Sequence, residues 1–267
     1  MKMLPATSLM LFVCLTVSPV FAGVYFEGTT RTTDGTVQEK SVIYLNADRL
    51  RVENQETKGA SVPDIIIFRQ DKKVMWVIHS KEGTYTEITN KDLEEMKSKM
   101  DESMKMMQEQ MKNMPPEQRK MMEEMMAKQM PKGMMTQEEK TTFKKAASGV
   151  KFRSWNCDKY EGFKGSEKSA EVLTILPSQA GFNMKDFMVM RDFAEFFSPL
   201  AVDANEFVMM GTEEDVNKGG FQGMPVKYVN MSNGKITDTF ELEKIESRTN
   251  PASLFELPAD LKKKEIW

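Results

Sequence analysis

From Gly23 to Ile88, short runs rich in β-branched and aromatic residues are divided by polar turns. Runs of this composition suit a pleated, half-buried surface, so the pattern predicts β-structure with at least one face buried. The predicted strands are Val24–Thr32, Val37–Leu45, Arg49–Glu53, Ile65–Arg69, Val74–Ile78 and Thr84–Ile88. Asp34–Gly35 and Asn46–Ala47–Asp48 carry the residue types that close hairpins. Links this short join antiparallel neighbours, so the segment reads as a meander.

At Thr89 the period changes. Leu93, Met96, Met100, Met104, Met107, Met111 and Met114 recur at spacings of three and four, which puts them on one face of a helix. Thr89 followed by Asp92 resembles a capping box at its start. Pro115–Pro116 ends this helix and suits the start of another, which carries Met121, Met122, Met125, Met126 and Met130 before Pro131 and Gly133. A third, shorter helix is predicted at Thr136–Ala147. Residues 89–147 thus form a Met-rich helical insertion in a single β-domain spanning 23–267.

The strand pattern returns at Val150–Tyr160 and Ala170–Leu176. Met184–Phe197 is an amphipathic helix with Phe187, Met190, Phe193, Ala194 and Phe197 on one side and Pro199 as terminator. Pro225–Met231 and Ile236–Ile245 flank Ser232–Asn233–Gly234–Lys235 as a final hairpin.

The first residues follow neither period. Lys2, an uncharged apolar run from Leu4 to Val17, and a helix-breaking stretch ending in Ala22 have the three parts of a secretory signal, with cleavage expected after Ala22. The expected mature chain starts at Gly23, works in the periplasm or outside the cell, and has no membrane span. Cys14 follows Phe12 and Val13, which are too bulky for a lipidation signal. Removing residues 1–22 takes one lysine from the 37 basic side chains that face 40 acidic ones. A mildly acidic chain is a poor nucleic-acid binder. Cys157 would be the sole mature cysteine, so stability must come from a packed core and not from a disulfide.

Catalytic chemistry finds little to stand on, and no enzyme is expected. His79 is the single histidine, at a strand end without a Ser or Cys motif. Cys157 reads as a small buried strand residue. One His and one Cys cannot assemble a zinc site. Gly219–Gly220–Phe221–Gln222–Gly223 has no helix after it and is no phosphate cradle. The unusual feature is 25 methionines. Three readings stay open: a soft seam that packs the helices, an adaptable face for lipids or partner proteins, or thioether ligation of Cu(I), for which Met122 and Met126 sit one turn apart.

Trp155–Asn156–Cys157–Asp158–Lys159–Tyr160–Glu161–Gly162–Phe163, then Glu171–Val172–Leu173, Gly223–Met224–Pro225–Val226–Lys227 and Phe255–Glu256–Leu257–Pro258 follow one another in order. With Tyr44–Leu45–Asn46–Ala47–Asp48–Arg49–Leu50–Arg51 and the Pro115–Gln118 break, the chain resembles an uncharacterised family of exported bacterial proteins. That family, a domain of unknown function, is related to the periplasmic lipoprotein carriers LolA and LolB. The resemblance implies a mainly β (α+β) fold, an incomplete antiparallel β-barrel around helices with an apolar concavity. The carriers use that concavity to shield acyl chains, so the expected partner is a lipid or lipoprotein, or another envelope protein, and no cofactor is expected. The long Met-rich hairpin departs from the carriers. On this reading Met100, Met104, Met107, Met111, Phe187, Met190 and Phe193 line the apolar site.

Overall fold

The computed structural model describes residues 23–57, 64–112, 115, 118, 140–200 and 210–266. Its centre is one 12-stranded sheet. The first meander comprises β1 (Gly23–Thr32), β2 (Val37–Asn46), β3 (Arg49–Thr57), β4 (Ile65–Arg69), β5 (Val74–His79) and β6 (Thr84–Thr89). The second comprises β7 (Thr142–Phe152), β8 (Trp155–Lys164), β9 (Glu167–Ile175), β10 (Met224–Ser232) and β11 (Lys235–Arg248). Antiparallel pairing of β1 with β11 zips the meanders together, from Gly23 opposite Arg248 to Thr32 opposite Asp238. A short parallel strand, β12 (Lys262–Lys263), lies along β6. β12 and β7 are the two ends of the strand order, so the sheet does not close. This is the expected mainly β, incomplete antiparallel barrel.

Among the described residues the α-helices are α1 (Asn90–Lys112), α2 (Met188–Phe196) and the short α3 (Glu213–Asn217). Phe26 and Leu45 from the first meander, and Val226 and Leu242 from the second, share one buried core with Phe187, Val189, Met190 and Phe196. The sheet therefore wraps α2 from both halves. Each fully buried aromatic or branched side chain in such a core contributes about 1.5–3 kcal/mol. Phe68 of β4 shows how it is filled, meeting Phe193 and Phe196 edge-on with ring centroids 5.4 Å apart in both pairs.

A second core lies on the opposite face of β4 and β5. Ile67, Val74, Trp76 and Ile78 are covered there by Phe255. Burial on both faces explains why these strands read as nearly continuous apolar runs rather than as alternation. The covering segment is held from beneath. Arg51 Nη1 donates to the Leu254 carbonyl at 2.9 Å, and Arg69 Nη1 to the Phe255 carbonyl at 3.3 Å. Arg69 is only 3% exposed. It also pairs with Asp71 and Glu256.

Two expectations are corrected. Thr142–Ala147, the larger part of the helix predicted at Thr136–Ala147, belongs to β7. Its lysines and alanines favour a helix locally, but pairing with β8 prevails, and Phe143 packs on Phe221 with centroids 5.1 Å apart. Val150–Tyr160, predicted as one strand, contains a hairpin: β7 ends at Phe152 and β8 starts at Trp155. The turn has no Gly or Pro to announce it. Arg153 takes a left-handed conformation there (φ 52°), and its guanidinium reaches Glu243 at 2.8 Å. Residues 1–22 and the second Met-rich helix, with Met122 and Met126, lie outside the described residues.

Candidate ligand-binding surface

The surface is built from the end of β6 upward. Thr89 and Asp92 form the predicted cap: the Thr89 N–H donates to Asp92 Oδ2 at 2.8 Å, and the Asp92 N–H to Thr89 Oγ1 at 3.3 Å. Hydrogen bonds from Thr89 hold the Asp92 carboxyl below its ordinary pKa, so it stays charged beside the positive end of the helix. The cap fixes the direction in which α1 leaves the sheet.

The apolar stripe then does what its spacing predicts. Leu93 is 1% exposed in the main core, and Met96 packs against that core. Met100, Met104, Met107 and Met111 continue the same face half-buried, whereas Lys97, Asp101, Glu102 and Lys105 point to solvent. Met106, off the stripe, is 53% exposed. α1 packs on β6 and on the 3-10 turn Ser198–Leu200, which continues the chain from α2. The methionine face and the Phe-rich helix are thus neighbours through that turn.

Phe187 and Met190 lie deeper. Both are buried, and both floor a shallow depression with Met184, Met188, Met210 and Arg191 around it. Met184 and Met188 stand at its rim, 37% and 40% exposed, while Met210 is buried. The 3-10 turn Met184–Phe187 leads directly into α2, which places both rim thioethers beside Phe187. Arg191 faces Asp215 at 3.6 Å. Next to Arg191, burial together with nearby Glu195 pushes the Asp192 carboxyl up from its ordinary pKa.

The seven residues predicted to line one site therefore fall into three places. Phe187 and Met190 meet at the depression. Met100, Met104, Met107 and Met111 form the half-buried face of α1. Phe193 is spent on packing against Phe68. Met184, Met188 and Met210 belong to the depression and escaped the sequence reading; Met184 and Met188 were four apart within the predicted helix, a signal that was available.

Groups suited to other chemistry stand apart. Cys157 is 0% exposed, and burial pushes its thiol up from the ordinary pKa, away from the reactive thiolate. His79 sits half-buried at the end of β5. Among the described residues, no three His, Cys, Asp or Glu side chains gather as a metal site, and no helix is long and apolar enough to cross a membrane.

No protein-family model matches this chain, and no curated protein matches it either. Solved structures match over most of this chain at low similarity. An uncharacterised conserved protein from Thermus thermophilus is 8% identical over 92% of both chains, with a TM-score of 0.44. PNGF-II is 13% identical with a TM-score of 0.36, the match covering 91% of this chain and 30% of that one. A LolA superfamily protein from Nitrosomonas europaea is 8% identical over 90% of this chain and 92% of its own, with a TM-score of 0.30. Likeness at this distance says nothing of a ligand.

Proposed function

We propose that this chain is a non-enzymatic binding or chaperone-like protein of the bacterial cell envelope that holds an apolar ligand, a lipid or a lipoprotein acyl chain. The observation that carries the reading is the half-buried methionine face of α1, laid against the turn that continues α2. Thioether side chains are flexible and polarizable, and a face of them adapts to apolar surfaces of varied shape. The rim methionines at positions 184 and 188 extend the same chemistry to the depression over Phe187. Export of the chain after cleavage behind Ala22 belongs to the same proposal, as does the absence of a catalytic role.

Because α2 and its phenylalanines already fill the inner face of the sheet, ligand uptake requires α1 to move off Ser198–Leu200. Its methionine seam then becomes the ligand's wall. Native mass spectrometry of the protein purified gently from a bacterial periplasm tests this. Extra mass that organic solvent extracts as lipid is expected. The double variant Met104→Glu, Met107→Glu should lose that mass while the sheet stays folded. A wild-type protein that carries no extractable lipid, and takes up none from added vesicles, would sink the proposal.

A further inference from the structure

Gly23 sits in an unusual place. A Cβ built on it would overlap the Leu45 carbonyl oxygen, the Asn46 side-chain oxygen and the Asn250 side-chain nitrogen at once. Only glycine fits where β1 begins. Around it, Asn250 is 6% exposed and donates through Nδ2 to the Val24 carbonyl at 3.3 Å and the Leu45 carbonyl at 3.1 Å. That leaves its Oδ1 facing away from both. Oδ1 of Asn250 and Oδ1 of Asn46 are buried, and neither has a hydrogen-bond partner. Buried amide oxygens without a donor each cost about 1–3 kcal/mol. Two such oxygens, on asparagines that both press against one glycine, call for a specific explanation.

The sequence supplies one. Gly23 is the residue that follows the expected cleavage point. Inside an unbroken chain its nitrogen is an amide with a single N–H. Hydrolysis of the Ala22–Gly23 bond, by water and an export peptidase, leaves a carboxylate on Ala22. The proton of the new acid passes to the Gly23 nitrogen, which becomes an ammonium with three N–H groups. Cleavage therefore adds two donors at a spot where two acceptors are unpaired.

We infer that Gly23 is the first residue of the mature chain and that its ammonium is seated on the amide oxygens of Asn46 and Asn250. The seat ties the start of β1 to the end of β2 and to the segment after β11. It makes processing a step in completing the fold, because the uncut chain offers a single N–H where two oxygens are unpaired. The inference rests on the export reading above and not on the nature of the ligand.

The test uses the full chain exported by a bacterium and purified from the periplasm. Intact mass is expected to show a start at Gly23 with an unmodified amine. A succinimidyl ester at about pH 7 reacts with an α-amine of ordinary pKa far faster than with lysines. Labelling of Gly23 should be at least about ten-fold slower in the folded protein than in urea, which corresponds to about 1.4 kcal/mol of protection. Asn250→Ala and Asn46→Ala should each bring the rate back toward the unfolded value. Asn46 is the less buried of the two, so its variant keeps the test open if Asn250→Ala does not fold. An uncut chain would remove the export reading and this inference together. Cleavage at another residue would overturn the inference and leave export standing. So would fast labelling of a folded chain that starts at Gly23, or protection that survives both substitutions.

Discussion

Arg69 grips Asp71 with two hydrogen bonds, Nε to Oδ1 at 2.7 Å and Nη2 to Oδ2 at 2.6 Å, while its remaining nitrogen reaches forward to Glu256. The guanidinium is nearly buried, whereas the side chains of Asp71 and Glu256 are 30% and 45% exposed. Both carboxylates can therefore be rehydrated if the cation is removed. Arg69→Met should cost roughly 2 kcal/mol, below the loss for a fully buried pair. For a chain of this size that lowers the thermal midpoint by about 4–8 °C, readable by calorimetry.

The same cluster fixes a response to acid. The hydrogen bonds from Arg69 hold Asp71 below its ordinary pKa, and those from Lys72 and then Arg69 do so for Glu256. Groups depressed in this way stabilise the fold fully above their unfolded pKa values, about 4. That contribution is lost as pH falls through the lower, folded values. Stability measured from pH 6 down to pH 3 should therefore drop less steeply in Arg69→Met than in the wild type. Parallel pH curves would show that the cluster is not the acid-sensitive element.

Position along α1 should decide the effect of truncation. Leu93 is enclosed by the main core, and Leu93→Ala should cost about 2–5 kcal/mol. Met106→Ala, off the buried stripe, should fall within about 0.5 kcal/mol of the wild type. Thr89→Ala removes one half of the cap and should cost about 1 kcal/mol. Urea unfolding of the three variants gives the order directly.

Cys157 should behave as a reporter and not as a reagent. Buried in β8, it is expected to resist thiol reagents in the folded protein and to react at once in urea. Its labelling rate then measures how often the core opens, and Leu93→Ala should raise it. Rapid labelling of the native wild type would contradict the burial of this thiol.

The strands of the first meander were legible because β-branched and aromatic runs agree with the turn residues between them: β4 matches its predicted bounds, Ile65 to Arg69. The methionine stripe of α1 was legible because its spacing of three and four matches the helix: Leu93 is buried, and Met96, Met100, Met104, Met107 and Met111 are half-buried. β7 was hidden because Lys144, Lys145, Ala146 and Ala147 favour a helix locally, while the aromatic contacts that hold Phe143 come from Phe221 and Tyr228, far along the chain. The Arg69–Glu256 pair was beyond reach for a similar reason, its partners standing 187 positions apart. Of the candidate surface, the sequence showed which residues were apolar. It did not show that Phe193 would be taken up by Phe68 or that Met210 would join the rim methionines.

The pairing of β1 with β11 also sets an order of events. The first meander is local and can form as soon as its own strands are present, but β1 has no second neighbour until Lys235–Arg248 has been made. Until then the first-made strand is a bare sheet edge carrying Val24, Tyr25 and Phe26, open to pairing with other chains. Closing a seam between two ends so far apart in sequence is slow compared with forming a hairpin. A growing chain of this design therefore keeps one side of its N-terminal strand unpaired until the last hairpin arrives.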